Sequence, residues 1–113
     1  MHEFSIAVGI VDLAVEHAEV AGAKKVNEVE LEIGELAGVI YEAMETAMDS
    51  AVKGTILEGA AVVIRKPPGK GRCTACGAEF RVEQFFDPCP ACGEYNPEII
   101  SGKELRLKSL NID

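Results

Sequence analysis

All four cysteines of the chain fall in one short stretch, as Cys73-Thr74-Ala75-Cys76-Gly77 and Cys89-Pro90-Ala91-Cys92-Gly93, with twelve residues between the pairs. Two Cys-x-x-Cys pairs at this spacing fit one tetrahedral four-thiolate site, because each pair turns two sulfurs onto the same ion and four close its shell. Zinc is the first expectation. Gly77 and Gly93 follow the pairs, where a positive φ lets backbone N–H groups point at the sulfurs and hold them as thiolates. Two disulfides, or an iron site of rubredoxin type, are the other readings of the same four residues.

The span from about residue 70 to residue 100 is too short to bury a stable core without a metal. The remainder of the 113 residues is rich enough in aliphatics for a conventional core, since 48% of the chain is hydrophobic and only 5% aromatic. Nineteen acidic against eleven basic residues leave a net charge of -8. Phosphate binding needs a positive patch, so this balance argues against nucleic acid as a partner, and the cysteine stretch offers no basic stripe either. No apolar run reaches the roughly 18 residues of a membrane span, and the first segment lacks the basic n-region of a signal peptide. Reduced, metal-binding cysteines in a cytoplasmic protein without a membrane association are expected.

From Glu3 to Ala21 apolar residues recur at Ile6, Ala7, Ile10, Val11, Ala14, Ala18 and Ala21, which predicts an amphipathic helix ending at Gly22. Gly9 inside it costs about 1 kcal/mol relative to alanine and predicts close packing there. His17 falls at one edge of the stripe, as a packed or flanking residue. Asn27 to Ile33 alternates Val29, Leu31 and Ile33 with Glu28, Glu30 and Glu32, the pattern of a strand with one wet face. A second helix is expected from Val39 to Val52, with Met44 and Met48 as core filler and Gly54 as its stop. Ala60 to Lys66 reads as another strand, cut off by Pro67-Pro68-Gly69. Short strands at Ala78 to Glu83 and Gln84 to Asp87 surround the metal. Lys103 to Ile112 closes the sequence as a strand whose Leu105/Leu107 and Leu110/Ile112 faces are out of phase, which a bulge at Lys108-Ser109 would correct.

These elements predict an α+β fold: two helices on a small mixed three-stranded sheet, with an inserted zinc-ribbon domain. The expected division is residues 1–66 plus 103–113 for the α/β domain and 67–102 for the ribbon. No nucleophile with a base partner and no open catalytic metal position stands out, so an enzyme is not expected.

His2 matters through its position. An imidazole on the second residue, an amine on the first and the amide between them make fused chelate rings, a nitrogen-rich planar set suited to Ni(II) or Cu(II). Met1-His2-Glu3-Phe4-Ser5, the Ile33-Gly34-Glu35-Leu36-Ala37-Gly38-Val39 segment, the pairs Cys73/Cys76 and Cys89/Cys92, and Ile100 to Leu110 together resemble the HypA/HybF family, nickel metallochaperones of hydrogenase maturation. The resemblance runs through the whole chain in order. It implies a nickel site at Met1, His2 and Glu3, with His2 the essential ligand and Glu3 assisting through its amide or carboxylate. It implies structural zinc on Cys73, Cys76, Cys89 and Cys92. It also implies delivery of nickel to the large subunit of a NiFe hydrogenase with a HypB-type GTPase, and service to urease in some cases. The sequence is compatible with a monomer or dimer, since the Pro67-Pro68-Gly69 hinge allows the ribbon to swap between chains.

Overall fold

The computed structural model describes residues 2–113. Met1 lies outside the described residues. Helix α1 spans Glu3–Val20 and buries Ala7, Ile10, Val11, Ala14 and Ala18. Small residues on this face let the helix approach its neighbour closely. The helix stops as the glycine predicts. Gly22, at φ 68, donates to the Glu19 carbonyl, and Ala23 donates to the Ala18 carbonyl, so the last turn is closed by a Schellman arrangement. Ala21, expected on the buried stripe, is exposed beyond the last turn. Gly9 also departs from expectation, since a Cβ there would meet nothing within 4 Å.

Strand β1 (Val26–Ile33) buries Val29, Leu31 and Ile33 on one face, and Val26 at its start is buried as well. Helix α2 (Tyr41–Ala51) then leads to β2 (Ala61–Arg65), which pairs with β1 in parallel, Glu28 opposite Ala61 and Glu32 opposite Arg65. The last strand, β6 (Leu105–Ile112), lies on the other side of β1, giving the order β2-β1-β6. Asp113 donates to Lys25 at one end and Gly34 donates to Glu104 at the other, so β6 runs antiparallel to β1 and the sheet is mixed. The phase slip in β6 is present: adjacent Lys108 and Ser109 both reach the outer glutamates, Lys108 toward Glu32 and Ser109 to Glu30.

Met44 and Met48 of α2, together with Leu57 in the turn after it, are fully buried. Burial of each such side chain contributes about 1.5–3 kcal/mol. The two helices pack on each other, and the apolar face of β1 is buried. The opposite face carries Glu30 and Glu32, paired with Arg65, Arg106 and Lys108. The acidic row is therefore a solvated ion-pair face.

The chain divides into two compact units. The first comprises Met1–Glu32, Val39–Arg65 and Arg106–Asp113, and the second Ile33–Gly38 and Lys66–Leu105. The second unit thus includes a segment the sequence reading leaves with the first. Its backbone explains why: Glu35 donates to Pro67 at 3.0 Å, Leu36 to Gly102 at 2.7 Å and Gly34 to Glu104 at 2.8 Å. The chains meet so closely that a Cβ on Gly102 would lie 2.7 Å from the Gly69 Cα, and one on Gly34 would overlap the Gly102 carbonyl.

Within this unit β3 (Lys70–Arg72) is the centre of a second three-stranded sheet, with β4 (Glu79–Arg81) and β5 (Glu98–Ser101) antiparallel on its two sides. Gln84 to Asp87 is a turn, where the sequence predicts a strand. The Asp87 carboxylate accepts the N–H groups of Glu83 and Gln84, and the Asp87 N–H donates to the Gln84 carbonyl. Those bonds replace ladder pairing.

Candidate metal centre

Cys73 follows β3 directly, and Cys76 closes the turn before β4. Cys89 and Cys92 repeat the same turn further along. In both, the first cysteine donates its N–H to the residue five positions on, Cys73 to Ala78 and Cys89 to Glu94, each at 2.8 Å. In both, the following glycine donates back, Gly77 to Cys73 and Gly93 to Cys89, with φ of 80 and 78. A side chain would strain that backbone. The shared Cys-x-Ala-Cys-Gly pattern has built two copies of one knuckle.

The knuckles face one another. All four sulfurs lie within 4.8 Å of each other, with Cys73 Sγ 3.4 Å from Cys92 Sγ and Cys76 Sγ 3.7 Å from Cys89 Sγ. A tetrahedron of sulfurs at about 2.3 Å from zinc has edges of about 3.8 Å, so the residues present fit this ion. None of the four is in a disulfide. Cys73 and Cys89 are buried, whereas Cys76 and Cys92 are exposed at the rim.

The sulfurs differ in readiness to ionise. Cys73 is held down at about 6, chiefly by the Cys76 N–H aimed at its sulfur, with the Ala75 N–H adding to this against the cost of desolvation. At Cys89 burial opposes the thiolate most strongly, yet the N–H groups of Cys92 and Ala91 outweigh it and the thiol is lowered. Cys76 and Cys92 go the other way. The Ala78 N–H favours ionisation of Cys76, and the Glu94 N–H that of Cys92. Protons shared with neighbouring sulfurs nevertheless raise both, Cys92 to about 12. The four sulfurs share their protons and titrate together. A divalent ion has to displace those protons as it binds.

The other predicted site residues lie in the first unit. His2 is exposed and forms the N-cap of α1, with φ 54, while its carbonyl accepts the Ile6 N–H at 3.1 Å. A left-handed backbone is uncommon for a side chain this size, though histidine tolerates it better than most. Glu3 is buried, and its carboxylate accepts the N–H of Ile40, the N-cap of α2, at 3.2 Å. Sequence reasoning assigned Glu3 to the metal and missed this contact. A signal existed: neither Ile40 nor its neighbours Val39 and Tyr41 is a side-chain cap of the usual kind, so an acceptor from elsewhere was needed. His17 is exposed on the last turn of α1, a flanking residue.

The sequence matches, over residues 1–112, the family described as "Hydrogenase/urease nickel incorporation, metallochaperone, hypA". It is 46% identical over 113 residues to hydrogenase maturation factor HypA of Geobacter metallireducens, covering 100% of both chains. It is 48% identical over 112 residues to that of Parabacteroides distasonis, covering 99% of this chain and 97% of the relative. Among solved structures it is similar to the solution structure of the Ni metallochaperone HypA from Helicobacter pylori, with a TM-score of 0.71 at 26% identity, covering 99% of this chain and 97% of that one.

Proposed function

Because the chain belongs to the HypA family of nickel-incorporation metallochaperones, we propose that it carries Ni(II) at its N-terminus and delivers it during hydrogenase maturation. The protein is a carrier and not an enzyme. The observation that carries the site assignment is His2, exposed at the open end of α1. In this reading the His2 imidazole and amide and the Met1 amine hold nickel, with Glu3 assisting. Cys73, Cys76, Cys89 and Cys92 hold structural zinc, which with four thiolates leaves no open position for cargo. The unit that contains α1 is then the nickel domain and the unit that contains the four cysteines the zinc domain.

An exposed terminal site suits a carrier, since a partner can reach the metal and take it. Nitrogen donors prefer copper to nickel, so selectivity rests on metal supply and docking. A cation at a helix N-terminus opposes the dipole by about 0.3–1 kcal/mol, and amide deprotonation on loading offsets this. Loading therefore weakens in acid. The recipient is the large subunit of a NiFe hydrogenase, with a HypB-type GTPase as co-chaperone and urease as a second target, in the cytoplasm. No helix among the described residues is long and apolar enough to cross a membrane.

Nickel titration of wild type beside His2→Ala tests the assignment. Loss of stoichiometric nickel with zinc retained supports it, and tight nickel binding by His2→Ala overturns it.

A further inference from the structure

The aromatic residues of this chain are few, four Phe and two Tyr without Trp. Two of the four phenylalanines, Phe85 and Phe86, are adjacent and stand 51% and 61% exposed on the second unit. Exposing two large apolar side chains side by side costs solubility and is uncommon without a use. They are not on a loose loop. The Asp87 carboxylate ties down the N–H groups of Glu83 and Gln84, and Val82 just before them is 1% exposed, with its N–H donated to the Gly69 carbonyl. The pair is presented by a turn whose ends are anchored.

Beside them is a groove of about 300 Å³ whose lining includes Glu35, Leu36, Glu83, Gln84, Phe85 and Phe86. Its apolar floor is flanked by two carboxylates. Glu35 is engaged by Arg81 through two bonds of 3.1 Å, which leaves the exposed Glu83 as the other charge of the rim, with no basic residue among the described lining of the groove. The whole chain carries a net charge of -8. An acidic partner or a nucleic acid would be repelled here. A second copy meeting groove to groove would set Glu83 against Glu83 between two strongly acidic proteins, which costs rather than gains.

We propose that this groove is a docking site for a segment of a partner protein in which a large apolar side chain is flanked by Lys or Arg. The apolar residue seats between Leu36 and the phenylalanines, and the cation reaches Glu83. Aromatic anchors with a charged rim are the usual anatomy of a small protein–protein hot spot. The site is independent of the nickel assignment and stands whether or not His2 carries metal.

The test uses the full-length, zinc-loaded protein and two fluorescent synthetic peptides, one with paired leucines flanked by lysines and one with glutamates in place of the lysines. The lysine peptide should bind, with amide shifts confined to residues 35–36 and 83–87, and binding should weaken with salt. Phe85→Ser combined with Phe86→Ser should weaken it by about tenfold or more, as expected of hot-spot aromatics. Unchanged zinc content in that variant establishes that the unit remains folded. Should zinc be lost, Glu83→Lys replaces it as the variant, and it should reverse the preference between the two peptides. Shifts centred elsewhere, or affinity indifferent to both variants, overturn the proposal. So does self-association of the protein without peptide that disappears in the serine variant, since the occupant would then be a second copy.

Discussion

The Glu3 carboxylate lies 3.2 Å from the backbone N–H of Ile40, thirty-seven residues further along, and so joins the first turn of α1 to the start of α2. A helix start without a side-chain cap needs an acceptor, and a buried carboxylate needs donors. Each answers the other. In the proposed nickel site the Glu3 amide nitrogen can serve as a donor while the carboxylate holds Ile40. Glu3→Gln keeps an acceptor for Ile40 and should retain nickel binding, whereas Glu3→Ala should lower the melting temperature by a few degrees. Thermal scans and nickel titrations of the two variants, beside His2→Ala, separate support from ligation.

Gly9 sits in the interior of α1 with open space where a side chain would be. Glycine there has only its backbone entropy cost and no packing reason. Gly9→Ala should stabilise the protein by about 1 kcal/mol. Denaturant titration measures this, and a destabilised variant would mean that something contacts the position.

The opposite holds at Gly69 and Gly102. A Cβ on Gly69 would overlap the Val82 carbonyl and press on Leu36, and Gly102 has φ 107 beside the Gly69 Cα. Backbone cannot move aside as a flexible side chain can. Alanine at either position should destabilise the second unit by at least about 1–3 kcal/mol. Weakened zinc retention in a competition with chelator would report it directly.

Metal removal should unfold the second unit selectively, because its small three-stranded sheet and few buried side chains do not hold it without the four-thiolate junction. Chelation should abolish amide protection from Lys66 to Leu105 and spare α1 and β1. Loading should release protons, because Cys76 and Cys92 are raised and must ionise to bind. Affinity should fall further as the pH drops through about 6, where Cys73 also takes up its proton. Calorimetry in buffers of different ionisation enthalpy counts the protons.

Glu30 is lowered chiefly by the bond from Arg65 and then by that from Ser109. Its pKa is lower folded than unfolded, so its contribution is fully present above the ordinary carboxylate range and is lost as pH falls through the lowered value. Glu30→Gln should therefore be less stable than wild type at neutral pH and indistinguishable from it in strong acid. The difference should also shrink with salt, as befits a surface pair. A pH series of melting temperatures decides this.

Periodicity and spacing carry much of this protein. The stripe of α1, the alternation of β1, the glycine stop at Gly22 and the methionines of α2 are local patterns, each legible because one face of a regular element meets water and the other does not. The cysteine knuckles are legible for a related reason, since five residues contain all the hydrogen bonds of each turn. Strands β3 and β5 were missed because they are three and four residues long and gain their pairing from each other, not from their own sequence. The strand expected at Gln84 to Asp87 failed because one side chain, Asp87, satisfied the backbone locally instead.

From sequence alone, then, come the elements of the first unit and the four-cysteine site, both set by short-range chemistry, and with them the membership in a family. Tertiary structure alone decided what crosses long separations. It turned the Glu3 carboxylate inward to Ile40, placed Ile33–Gly38 with the cysteine unit through bonds to Pro67, Gly102 and Glu104, and left Phe85 and Phe86 exposed. These outcomes depend on which distant groups meet. A chain records its local preferences residue by residue, but a donor's partner is chosen only when the backbone brings acceptors within reach.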